Sequence, residues 1–247
     1  MNNKIVLLSV LTLTIAGCKS DKEEEVAPQP PAQGNLLVTY GFHWEEDEFN
    51  LASTYTDGAS HAIQFTAVKF FLSETHLQNG GAVLADYHDH YVLATPDDEP
   101  TVTYGTVPAG AYDLLAVTIG LDSTKNHSDP SSATPPLDDT SMHWGPGTTN
   151  GYYFFVLEGR VDDDGTGIVE SDDPVFTYRC ATDSALRVAQ IPISSSVASG
   201  GALFQHVHIR VNEIVAGVNM LTTQAGTGYE PINQQLMDNL AGALDVE

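Results

Sequence analysis

From Asn35 onward, apolar and β-branched residues come in short runs broken by turn formers, a pattern that admits strands and little else. The runs are Leu36 to Phe42, Ala62 to Leu72, Tyr91 to Leu93, Thr101 to Tyr104 and Tyr112 to Ile119. They continue with Tyr152 to Gly159, Val175 to Tyr178, Leu186 to Ile193 and Leu203 to Val211. Asn79-Gly80-Gly81, Pro108-Ala109-Gly110, Asp164-Gly165 and Gly200-Gly201 punctuate them. Only the tail has a helical period, with Ile232, Leu236, Leu240 and Leu244 recurring every four residues. The expected fold is therefore all-β: a single antiparallel β-sandwich or barrel-like domain over residues 35–247, closed by a short C-terminal helix. Two long segments, Asp122 to Trp144 and the acid-rich Val161 to Pro174, are expected as loops, and loops of such length are more often functional than spacer.

The N-terminus carries an address. Lys4 precedes an apolar stretch, Ile5 to Ile15, too short to span a bilayer and suited to a signal-peptide core. It ends in Ile15-Ala16-Gly17-Cys18, which resembles a lipobox. Residues 1–17 are expected to be a lipoprotein signal peptide, with Cys18 the acylated first residue of the mature chain. Residues 18–34 are an acidic, then Pro-rich tether. A cell-envelope, outer-membrane lipoprotein follows, periplasmic or surface-exposed and held to the membrane by its lipid. With Cys18 so used, Cys180 has no disulfide partner and is either a small buried hydrophobe or a soft metal ligand. The charge balance, 33 acids against 9 Lys and Arg for a net −24, excludes nucleic acid as a partner, because no phosphate-neutralising surface can be assembled.

The chain has nine histidines, and two closely spaced pairs suit a copper or zinc ion: His88-Asp89-His90 and His206-Val207-His208. On a strand, residues two apart share a face. Around the second pair, Val207, Ile209 and Val211 alternate with His206, His208 and Arg210, although a plain polar strand face would alternate in the same way. Asp162, Asp164 and Glu170 resemble a calcium loop, but an EF-hand register would put Arg160 at the first ligand position, and a solvated acidic turn has the same composition. No nucleophile elbow, His-Glu-x-x-His helix, P-loop or dinucleotide fingerprint is present, so a binding protein rather than an enzyme is expected.

Several segments, taken in order, resemble the MbnP-like domain family, named for a copper-binding protein associated with methanobactin. They are Val38 to His43, Val68 to Ser73, His90 to Leu93, Pro108 to Tyr112 and Val117 to Asp122. The most specific are Met142-His143-Trp144 and Gly151 to Gly159. The resemblance spans nearly all of the mature chain. It implies a copper site that uses His43, with His143 a further candidate. It also implies a dihaem peroxidase-type partner able to oxidise a tryptophan, for which Trp144 is the candidate. Pro146 stands where the family usually has a second tryptophan, and Tyr178-Arg179-Cys180-Ala181 replaces a Tyr-His-x-Gly segment. The candidate metal ligands are thus His43, His88, His90, His143, His206 and His208. The expected function is copper capture or delivery. The alternative is a calcium-stabilised adhesion or carbohydrate-binding sandwich, and a hydrolase would need an acid pair that the sequence does not single out.

Overall fold

The computed structural model describes residues 33–97, 99–145 and 151–246. The signal peptide, Cys18, nearly all of the tether, and Pro146 lie outside the described residues.

Fourteen strands are distributed over two sheets among the described residues. The first sheet is built on β1 (Gln33–Trp44), which starts two residues before the expected domain boundary. β2 (Asp47–Glu48) turns back on it. The second sheet is organised by an 18-residue strand, β4 (Ala62–Asn79), which pairs with β3 (Tyr55–Thr56), β5 (Ala82–Tyr87) and β6 (Val92–Ala94). β7 (Thr101–Pro108) returns to β1, while β8 (Gly110–Ile119) joins β4. β9 (Tyr153–Val161), β10 (Val175–Ala181) and β11 (Arg187–Val197) extend the second sheet. β12 (Ala202–Arg210) lies beside β1; β13 (Ala225–Gly228) edges the second sheet, and β14 (Leu244–Val246) edges the first.

The two sheets form a sandwich, not a closed barrel, and Phe42 of β1 meets Phe70 of β4 across the core at 5.8 Å. The inward residues of β1 are Leu36, Val38, Tyr40 and Phe42, at most 3% exposed, while Thr39 and His43 on the opposite face stay half-buried. Burying such a side chain contributes about 1.5–3 kcal/mol, so the alternation fixes which face of the strand turns to water. In the second sheet, Phe70 with Phe155 and Phe65 with Phe176 pack edge-to-face at 6.2 and 5.8 Å. Gly159 is required there: a Cβ would sit 2.3 Å from the Gln64 carbonyl oxygen and 2.4 Å from Phe176.

Two expectations need correction. The sheets are mixed, because β1 pairs with β12 and β10 with β13 in parallel. Short runs and turns report local hairpins, whereas these pairings join segments far apart in sequence, whose direction is set by the connections between them. The helix is α3 (Pro231–Gly242), after the one-turn helices α1 (Ser123–Asn126) and α2 (Val211–Ile214). α3 buries Leu236, Met237 and Leu240, but Leu244, the last of the four periodic residues, is in β14 opposite Ile209. The long 122–144 segment holds α1 and two short 3-10 turns, while 162–174 carries no helix or strand.

Candidate metal centre

β1 and β12 run parallel in register, so their outward residues meet in rungs: Leu37 with Phe204, Thr39 with His206, Gly41 with His208, and His43 with Arg210. The inward residues of β12, Leu203, Gln205, Val207 and Ile209, are buried, which sends His206 and His208 to the same outer face as His43. The rings of His43 and His208 lie 4.1 Å apart, those of His206 and His208 4.8 Å, and those of His43 and His206 6.4 Å. One ligand nitrogen from each of the three falls within 4.8 Å of the other two, and among the described residues no other group of three or more His, Cys, Asp or Glu converges so.

The floor of this cluster is Gly41. A Cβ there would stand 2.9 Å from His206 Nε2, 3.3 Å from His43 Nε2 and 3.2 Å from Glu99 Oε1. The space above Gly41 is thus ringed by donors, and His43 Nε2 is buried without a hydrogen-bond partner. An orphaned buried nitrogen costs about 1–3 kcal/mol, a penalty that a bound cation would relieve. These donors fit a copper or zinc ion: imidazoles bind either at about 2.0–2.1 Å, so small ring rotations close the site. His208 Nδ1 lies 3.9 Å from Asp245 Oδ1, its cross-strand neighbour on β14. Asp245 is in turn gripped by Arg210 Nε at 2.6 Å. Carboxylates placed behind ligating histidines orient the rings.

Glu99 was not expected at this site. It lies between β6 and β7, where the Pro100 carbonyl accepts from Tyr40 N–H at 3.3 Å and holds the segment against β1. The available signal was Glu99-Pro100 just ahead of a strand run, an extended dipeptide with one free carboxylate.

The remaining histidine candidates lie elsewhere. β5 ends at Tyr87, so His88 and His90 are not on a strand and do not share a face. His88 turns to Asp86 (Nε2 to Oδ2, 2.6 Å) and faces His76, whereas His90 packs on Tyr104 at 5.1 Å and Tyr87 at 6.0 Å. His143 Nε2 is 2.9 Å from the Leu137 carbonyl, and its ring meets Tyr152 edge-on, so it joins its loop to the second sheet. Trp144 is half-buried on that same sheet, 6.1 Å from Tyr153 and against Gly228, not beside the three histidines. Cys180 is fully buried with Sγ 3.7 Å from the Asn233 carbonyl, and burial pushes its thiol far above the usual range, which suits a packing role and not a thiolate ligand.

The acidic loop borders a cleft of about 850 Å3, with Trp44, Tyr55 and His61 on its other walls. Asp162 is buried there, and its Oδ1 accepts from Asp164 and Gly165 N–H while Oδ2 accepts from Gly167 N–H. The Gly167 bond contributes most to holding this carboxyl below its ordinary range. Both oxygens are used in shaping the turn, and Asp162, Asp164 and Glu170 do not converge on one point. His61 likewise serves structure. Its Nδ1 is 3.0 Å from Asp57, which also accepts from the N–H groups of Ala59, His61 and Met220. Burial alone would raise the Asp57 pKa, but these hydrogen bonds outweigh it and lower it.

The family model for MbnP matches residues 34–235. Among solved structures, MbnP from Methylosinus trichosporium has a similar fold, with a TM-score of 0.51 and 14% identity, over 80% of this chain and 82% of that one. No curated protein matches this chain.

Proposed function

The chain belongs to the MbnP family, and from that premise we propose that it is an extracytoplasmic copper-binding protein, lipid-anchored through Cys18, that captures or delivers the metal. The ion is held by His43, His206 and His208. What carries this reading is the three-histidine cluster above Gly41 with its orphaned, buried His43 Nε2. Copper is favoured over other divalent ions because an all-imidazole site follows the general affinity order, in which Cu²⁺ exceeds its neighbours and zinc. The lipid anchor rests on the Ile15-Ala16-Gly17-Cys18 sequence. The role proposed is that of a carrier and not of an enzyme: holding and releasing the ion needs no more than the imidazoles.

Metal analysis of the purified protein after exposure to copper, zinc and calcium is the test. One copper per chain is expected, lost in His43→Ala and retained in His88→Ala. Copper kept by His43→Ala would refute the site. Labelling cells with a fatty-acid analogue tests the anchor: label absent from wild type, or surviving in Cys18→Ala, would refute it. The calcium-stabilised binding module has less support, because the Asp162 carboxylate already accepts three backbone N–H groups and does not converge with Asp164 and Glu170 on one point.

A further inference from the structure

The cleft of about 850 Å3 bordered by Trp44, Tyr55 and the acidic loop shares none of its lining residues with the three-histidine cluster. We propose that this cleft binds an organic cation, a ligand carrying an ammonium or guanidinium group. The proposal stands independently of the copper reading.

Three observations combine. First, part of the wall is aromatic and rigid. Trp44 lies on Tyr55 at 4.3 Å and 25°, and Tyr55 lies on Phe49 at 5.1 Å and 18°. This column braces the indole from one side, and among the described residues no Lys or Arg is seated over Trp44 or Tyr55. A cation on the open side of such a ring is drawn to its negative face. Second, the polar part of the wall is made of acceptors. Asp163 and Asp164 are exposed on it, and no Lys or Arg lines the cleft. His61, also on the wall, donates from Nδ1 to the buried Asp57 carboxylate at 3.0 Å, so the neutral ring keeps Nε2 as an acceptor. With a net charge of −24 around it, the cleft draws cations and repels anions. Third, the charge is spread and not focused. The loop carboxylates do not converge on one point, so they offer no cage for a bare metal ion. The volume is that of a small-ligand pocket, about 300–1,000 Å3, and an elongated cation has room to reach from the indole to the acids.

Calorimetry on the full-length, metal-free protein tests this with three probes: agmatine, which carries both an ammonium and a guanidinium group, a blocked arginine tripeptide, and neutral methyl glucoside. Agmatine is expected to bind, and more weakly as salt is raised. Replacing Asp163→Asn and Asp164→Asn together should weaken it about tenfold or more. Asparagine keeps a side-chain oxygen for the Thr166 N–H that Asp164 Oδ1 accepts at 3.1 Å, so the turn survives the change. Trp44→Ala should weaken agmatine by about 2–30-fold. Asp97→Asn, an exposed acid outside the cleft, should match wild type. Agmatine bound more tightly than the tripeptide would identify the ligand as a free amine, and the reverse as an arginine side chain of a partner; both support the cation. No agmatine binding, or equal affinity in wild type and the double asparagine variant, would overturn the proposal. Methyl glucoside bound as tightly as agmatine would also overturn it, in favour of a carbohydrate site.

Discussion

The smallest residue at the centre decides whether the centre exists. Gly41 has ordinary strand backbone and needs no special dihedral. Its role is the empty space where a Cβ would stand, 2.9 Å from His206 Nε2 and 3.3 Å from His43 Nε2. Those atoms end movable side chains, so a methyl group there displaces donors and leaves the backbone in place. Gly41→Ala should therefore keep stability within about 1 kcal/mol, since alanine is at least as good as glycine inside a strand. Its copper affinity should fall about tenfold or more, a loss of the size seen when ligand orientation is disturbed. Urea unfolding and copper titration of the same variant separate the two effects; a fall in stability with affinity intact would show Gly41 to be structural only. Conversely, Asp162 resembles a ligand by composition, and in the fold its carboxylate accepts from three backbone N–H groups that shape the turn. Composition cannot distinguish the two, since either role calls for an acid beside glycines.

Among the elements, β12 was the most legible. The alternation of Val207 and Ile209 with His206 and His208 matches the burial of the strand, because one face must enter the core. The same rule misled at His88-Asp89-His90, where the strand stops one residue earlier and the spacing loses its meaning. His43 came from family resemblance and not from spacing, for no local pattern reports that β1 lies beside β12. That pairing creates the rung Gly41, His208, Asp245 across β1, β12 and β14. β14 is three residues long, and its central Asp245 is tied to Arg210 at 2.6 Å. The strand's contribution to the site is thus to place one carboxylate behind His208. Asp245→Asn should weaken copper binding by about tenfold through loss of ring orientation, with the His206 and His43 ligands intact. Copper competition on this variant checks it: full wild-type affinity would reduce β14 to an edge cover for the sheet.

For the whole molecule, the sequence specified an all-β chain with a terminal helix, while the mixed character of both sheets was hidden in connections that no local signal encodes. Those long-range pairings bring His43 together with His206 and His208, residues from nearly opposite ends of the described chain. In the unfolded chain they have no reason to meet, so copper binds the native state far better than the unfolded one and must raise its stability by mass action. At free copper of about 100 times Kd the gain is about 2.7 kcal/mol. For a domain of this size each kcal/mol moves Tm by about 2–4 °C, so a rise of about 5–10 °C is expected. Calcium at matched excess should produce almost none, because Asp162, Asp164 and Glu170 do not converge on a common point in the fold. Differential scanning of the protein with each ion, and of His43→Ala with copper, decides the matter. A calcium rise as large as the copper one would return the acidic loop to the centre of the account. A copper rise that survives in His43→Ala would mean that the ion binds somewhere other than the β1–β12 seam.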